Sequence, residues 1–250
     1  MIVEVCTETI SSVIAADRGG ATGVELCQNL MGGGTTPSLG MVHWTLENTS
    51  LRVNALIRPR VGDFCYSAPE KEMMLEDIRM IKDAGAAGVV TGALMASGEI
   101  DITFMEKVID VCGNSMDITF HRAFDASPSD PVIMLNDLIE MGVNRLLTSG
   151  RAVSAWEGRK LLSRLVVESE GDFSIAMAAG INSENVLPLM RATGAWEVHF
   201  SARKPVTINR NHLNHDGELD FGQHFESCPN EIEAICRQLE QLGVQGERAP

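Results

Sequence analysis

The chain has 250 residues, 44% of them hydrophobic, and a formal charge of -14. That much apolar sequence supports one large α/β barrel or two smaller cores. An acidic surface repels phosphate backbones and anionic lipid, which argues against nucleic-acid and membrane partners and leaves a cation, or an anion in a local basic pocket, as the ligand.

Met1-Ile2-Val3 leads directly into acidic and polar residues, with no basic stretch and no long apolar run behind it. No segment reaches the roughly 20 apolar residues of a spanning helix, so a cytoplasmic location is expected. There the cysteines at 6, 27, 65, 112, 228 and 236 should be reduced. They form no Cys-x-x-Cys, which argues against a zinc knuckle.

In chain order, apolar β-branched runs predict strands at Ile2–Cys6, Gly23–Cys27, Arg52–Ile57, Gly88–Thr91, Asp117–His121, Arg145–Thr148, Phe173–Met177 and Trp196–Phe200. Segments of helical period lie between them. Leu75, Ile78, Ile81 and Lys82 share one helix face, as do Met105, Val108, Ile109 and Cys112, and then Ile133, Leu135, Leu138 and Ile139. Gly19-Gly20, Gly85, Gly142 and Gly194 stand where helices should end, and Pro69, then Pro128 and Pro131, where they should begin. Eight βα units in series predict a single (β/α)₈ TIM barrel over residues 1–250. The competing open doubly wound sheet usually needs a glycine-rich first turn, and Cys6-Thr7-Glu8-Thr9 is not one. With no Walker A motif either, no nucleotide or flavin cofactor is expected. After the eighth strand, residues 202–228 read as a long polar loop before the last helix.

Side chains alternate along a strand, so Glu4 and Cys6 share one face, and Glu25 and Cys27 share one face of the next strand. Both cysteines fall at strand C-terminal ends, the functional face of this fold. Other strand ends add Arg58 and Arg60, then Thr119, His121 and Asp125, then Glu197 and His199. Each has a plain structural alternative. Glu4 and Glu25 could be buried partners of Arg58 or Arg60, the two cysteines inert core residues, and the histidines satisfied ones. The methionines suit core filling, and His212 with His215 in the long loop is a weak metal signal.

Several ordered phrases carry a family resemblance. They are Glu4-Val5-Cys6, Val24-Glu25-Leu26-Cys27, Gly33-Gly34-Thr35-Thr36-Pro37-Ser38-Leu39-Gly40, Ile57-Arg58-Pro59-Arg60-Val61-Gly62-Asp63-Phe64, Leu75-Glu76-Asp77-Ile78, Thr119-Phe120-His121-Arg122-Ala123-Phe124-Asp125, Leu147-Thr148-Ser149-Gly150 and Glu197-Val198-His199. Through about the first 200 residues the chain resembles the copper homeostasis family CutC. It departs at Val61, where the family usually has glycine, and at Ala178-Ala179-Gly180, which has one glycine for the usual two. That second departure weakens a phosphate cradle after the seventh strand. The tail beyond about Ala202 matches poorly.

The resemblance implies a cytosolic TIM-barrel protein of copper homeostasis that binds Cu(I) through cysteines and forms a homodimer. Two functions follow. In the first, Cys6 and Cys27 ligate Cu(I), a soft ion that prefers thiolates. In the second, the protein is an enzyme for a small anionic metabolite. Arg58 and Arg60 clamp the anion, with Glu4, Thr119 and His199 around it, Glu25 or His121 acts as acid and base, and Asp125 or Glu197 orients the histidine.

Overall fold

The computed structural model describes residues 1–169, 173–206 and 224–244. Eight parallel strands close into a barrel in sequence order: β1 (Ile2–Thr7), β2 (Gly23–Leu26), β3 (Arg52–Leu56), β4 (Gly88–Thr91), β5 (Asp117–Phe120), β6 (Arg145–Thr148), β7 (Ser174–Met177) and β8 (Glu197–Phe200). β8 returns to pair with β1, Glu4 opposite His199. The helices are α1 (Ile10–Arg18), α2 (Leu39–Asn48), α3 (Ala68–Asp83), α4 (Ile102–Cys112), the single turn α5 (Ala123–Ala126), α6 (Pro131–Glu140), α7 (Ala155–Glu168), α8 (Val186–Thr193) and α9 (Pro229–Val244). All eight expected strands are present, and the architecture is the (β/α)₈ barrel.

Local chemistry explains the boundaries. Thr9 and Ser38 accept backbone N–H groups at the starts of α1 and α2, and Asp101 and Asp130 do so for α4 and α6. At α3, Ser67 and Glu70 form a reciprocal capping box. Gly85, Gly142 and Gly194 follow helices with positive φ, as chain reversal there requires.

Two expectations need correction. Ile133 is 61% exposed, and Met134 takes its place beside Leu135 and Leu138 in the core face of α6. The Pro131 start sets the helix phase so that residue 134, not 133, turns inward. The expected loop after β8 is not wholly irregular either. Its described ends, β9 (Arg203–Pro205) and β10 (Phe225–Ser227), pair as an antiparallel ribbon. His212 and His215 lie outside the described residues.

The strand faces divide as the alternation requires. Val3, Val5, Val24 and Leu26 pack in the core between strands and helices. Cys6, Cys27, Leu56, Val90, Leu147, Ala176 and Ala178 form a second apolar cluster inside the barrel. β4 contributes little bulk inside. A Cβ on Gly88 would stand 2.6 Å from Asn54 Oδ1, and one on Gly92 would stand 2.7 Å from His121 Nδ1, so glycine leaves room for both side chains.

Near the N-terminal ends of the strands the barrel interior is ionic. Arg145 donates from both terminal nitrogens to the two oxygens of Glu4 at 3.0 Å. Its Nε lies 2.6 Å from Glu197 Oε2, a charge contact without hydrogen-bond alignment. Asn54 Nδ2 donates to Glu4 Oε1 at 2.7 Å. The partner of Glu4 is therefore Arg145, not Arg58 or Arg60 as the sequence suggested. Arg145 opens β6 on the inward-facing register, whereas the other two arginines lie beyond the end of β3. Replacing Arg145 with leucine leaves the buried Glu197 without its counter-charge and Glu4 with only Asn54 and His199. Urea denaturation should show a loss of about 3–5 kcal/mol, partly recovered by adding Glu4→Gln.

Candidate functional site

A cavity of about 690 Å³ opens at the C-terminal mouth of the barrel. Its floor and walls include Cys6 from β1, Glu25 from β2, Arg58 after β3, His121 after β5 and His199 from β8, with Leu30, Leu56, Phe64 and Leu147 as apolar surface. Residues 180–184 after β7 and Ser201–Lys204 after β8 form the rim on one side.

The Glu-x-Cys strands bring their polar groups into contact. Cys6 is in register with Glu25, and its thiol donates to Glu25 Oε1 at 3.3 Å. Cys6 Sγ lies 3.7 Å from Cys27 Sγ, and Cys27 in turn reaches the carbonyl of Thr7 at 3.6 Å. The neighbouring Cys27 sulfur, burial and the Glu25 carboxyl together push the Cys6 thiol well above its ordinary range. Burial also raises Glu25, only partly offset by His199. Its Oε2 has no hydrogen-bond partner among the described residues.

His199 presents a different balance. Burial would lower it, but Glu25 and Glu4 outweigh burial and hold the imidazole above its ordinary value. Burial would likewise raise Glu4, yet Arg145 and His199 hold its carboxyl far below the carboxylate range. An ionised Glu4 only accepts, so the 2.8 Å contact to His199 Nδ1 places a proton on that nitrogen.

The opposite wall is built differently. Arg58 is buried and donates to the carbonyls of Gly32, Gly34 and Gly62, at 3.2, 2.8 and 2.8 Å. No carboxylate pairs with it among the described residues. Phe64 packs over its guanidinium, 5.1 Å from the ring centroid, and edge-on against His121 at 4.9 Å. His121 accepts the Ala123 N–H at Nδ1, 3.3 Å away, while its Nε2 is buried without a described partner. Burial and the adjacent Arg58 charge lower His121 to about 3, so it is neutral at physiological pH.

Besides Glu4 and Cys27, four other expected site residues do not line the cavity. Arg60 turns outward to Glu70 and Asp63, at 2.6 and 3.0 Å, because the carboxylate that caps α3 draws it away from the mouth. Thr119 is buried one alternation below His121. Asp125 accepts from Thr148, Ser149, Arg151 and Arg122, tying β6 and its loop to α5, and makes no hydrogen bond to His121. Glu197 meets Arg145 rather than a histidine.

Sequence reasoning missed Arg145, Asn54 and Phe64. Arg145 could have been found by alternation, since it stands two residues from the inward-facing Leu147. Phe64 depends on the path of the loop after β3, which no periodicity reports.

The far part of the loop after β7 has its backbone amides occupied internally. Its amides at Asn182, Glu184 and Asn185 are taken by the side chains of Asn185 and Asn182, and the Ser183 N–H donates to Glu231 Oε1 at 2.7 Å.

The architecture and mouth define a (β/α)₈ barrel whose polar site is assembled at the C-terminal strand ends. The CutC family model matches residues 1–204, and the chain belongs to that family. It is 44% identical over 245 residues to a CutC family protein of Xylella fastidiosa, covering 98% of this chain and 89% of the relative. It is 41% identical over 226 residues to one from Xanthomonas campestris pv. campestris, covering 90% and 93%. The crystal structure of a CutC protein from Streptococcus agalactiae superposes with a TM-score of 0.76 at 29% identity, over 80% of this chain and 98% of that one. An N-(5'-phosphoribosyl)anthranilate isomerase from Pyrococcus furiosus, at 15% identity and a TM-score of 0.55, shares the fold alone. No helix of the described residues is long and apolar enough to cross a membrane.

His121 makes acid stability testable. Its folded pKa of about 3 lies below the ordinary 6.5, so the unfolded chain binds the extra proton between those values and stability falls as pH drops through that window. The contribution is roughly 1.4 kcal/mol per pH unit. The stability difference between wild type and His121→Gln, from urea melts at pH 6 and pH 4, should change in favour of the variant by about twice that amount.

Proposed function

We propose that this chain is a copper homeostasis protein that binds Cu(I) between Cys6 and Cys27. The observation that carries this reading is the 3.7 Å separation of two thiols on neighbouring strands. Cu(I) is soft and suits a two-sulfur site. Cys6 lines the cavity while Cys27 is fully buried behind it, so the ion would enter past Cys6. The name of the Streptococcus agalactiae relative, a copper homeostasis protein, supports the same role.

Ligation requires thiolate, and the Cys6 proton is held firmly. Apparent Cu(I) affinity should therefore rise with pH, about tenfold per unit for each thiol proton released. Anaerobic titration against a competing chelator checks both points. Cys6→Ser with Cys27→Ser should abolish high-affinity binding. Unchanged affinity in that double variant would remove this site from consideration.

A second reading is favoured by Arg58, a buried guanidinium at the cavity wall with no carboxylate partner among the described residues. In this reading the protein is an enzyme for a small anionic metabolite. Arg58 attracts the anion, His121 supplies a neutral ring N–H, and Glu25, with its raised pKa and one unpartnered oxygen, serves as acid and base. A thermal-shift screen of small carboxylates and phosphates should find an anion that stabilises wild type. Its effect should disappear in Arg58→Gln. A screen in which no anion shifts the wild-type melt counts against the idea.

A further inference from the structure

The cavity floor holds a second set of donors that the thiol pair does not use. Cys6, Glu25 and His199 each offer one ligand atom, and the three atoms lie within 4.8 Å of one another. They come from β1, β2 and β8, three strands paired side by side at the seam where the barrel closes. All three are buried and all three line the cavity. Cys27 is not a member of this set.

The surroundings match those of a metal-binding histidine. A ligating imidazole commonly donates its other ring N–H to a carboxylate, which fixes the tautomer and the ring plane. His199 Nδ1 does so to Glu4 at 2.8 Å. Glu4 is itself fixed by two bonds from Arg145 and one from Asn54, so the ring is held by a braced support rather than by a mobile side chain. Nδ1 is thereby occupied, and Nε2 is the nitrogen left to face a ligand. Glu25 brings an oxygen with no described partner, an unusual state for a buried carboxyl. Cys6 supplies the sulfur.

One sulfur, one nitrogen and one oxygen make a borderline set. Such a set suits Zn²⁺, which takes Cys, His and carboxylate ligands together, better than Cu(I), which favours sulfur alone. Three protein ligands with the fourth direction open to a cavity is the pattern of a zinc site that keeps an exchangeable position. We propose that Cys6, Glu25 and His199 bind a divalent zinc-type cation at the floor of the cavity. This site shares only Cys6 with the thiol pair, so zinc and Cu(I) exclude each other. The site stands whether or not copper binds at the cysteines.

The test uses the full chain, stripped of metal and kept reduced. Zn²⁺ alone is titrated against a chromophoric chelator, and Co²⁺ is used as a spectroscopic substitute. Wild type should bind one Zn²⁺, and its Co²⁺ form should show the charge-transfer band of a single thiolate with tetrahedral ligand-field bands. His199→Gln and Glu25→Gln should each weaken Zn²⁺ by more than the roughly 10- to 100-fold that loss of an outer-shell partner costs. Neither should lower Cu(I) affinity, since the Glu25 carboxyl holds the proton on Cys6. Cys27→Ser should keep Zn²⁺ binding while losing Cu(I). The wild-type cobalt spectrum decides the matter even if a variant fails to fold. Absence of wild-type Zn²⁺ binding overturns the proposal, as does a two-thiolate cobalt spectrum. So does a Zn²⁺ affinity that falls in Cys27→Ser and holds in His199→Gln, since that places the ion on the thiol pair. A failure of copper binding alone leaves this pattern intact and bears only on the copper reading.

Discussion

The Glu4 carboxylate is the contact on which the interior of this barrel depends. It sits inside β1 and is bonded to Arg145 from β6, Asn54 from β3 and His199 from β8. A closed barrel has no edge to anchor it, and its strands are held by neighbour-to-neighbour pairing. Glu4 adds ties across the interior, between strands that are not neighbours. A lone buried carboxylate would cost several kcal/mol, and a carboxylate with four donor contacts from three side chains avoids that cost. The same bonds orient His199, so the geometry of the cavity floor follows from the packing beneath it.

Above this layer the cavity has two chemically distinct sides. The β1, β2 and β8 side carries Cys6, Glu25 and His199, where burial and mutual charge raise the thiol and carboxyl and the facing carboxylates raise the imidazole. The β3 and β5 side carries Arg58 and His121, where burial, and then the guanidinium, keep the imidazole neutral. Two histidines in one barrel thus shift in opposite directions. One faces carboxylates and the other faces an arginine, which is the neighbouring-charge effect acting with both signs within one cavity. A cation and an anion could be accommodated on opposite walls without competing for the same groups.

The fold could be read from the sequence because alternation and helix punctuation repeat eight times, and small errors at strand ends do not alter the topology. The Glu-x-Cys phrases could be read as well, since period two alone puts Glu4 with Cys6 and Glu25 with Cys27. Chemistry that depends on the chain after a strand end could not be read. Arg58 and Arg60 are two residues apart, yet Arg58 stays inside while Arg60 is captured by Glu70, the N-terminal capping residue of α3. Asp125 looked like a partner for His121 four residues away, but α5 carries it toward the backbone of the β6 loop. The sequence does not single out Arg145, because a charged residue at the start of a strand usually reaches solvent, and only its pairing with two inward glutamates makes burial tolerable here.

Fold analogy alone would place a phosphate after β7 and β8, where many barrels of this class bind one. This chain shows why such an analogy has to be tested residue by residue. A phosphate cradle needs backbone N–H groups with no internal acceptor. Here Asn182 and Asn185 accept the amides of residues 182, 184 and 185 in a closed local pattern, and Glu231 from α9 takes the Ser183 N–H. A phosphate dianion entering there would have to displace a carboxylate already bonded to the loop, and would meet it as a like charge. Arg58 supplies buried positive charge across the cavity with no carboxylate partner among the described residues, and Arg203 and Lys204 add charge at the rim after β8, so an anion would be drawn to those groups rather than to the 182–185 stretch.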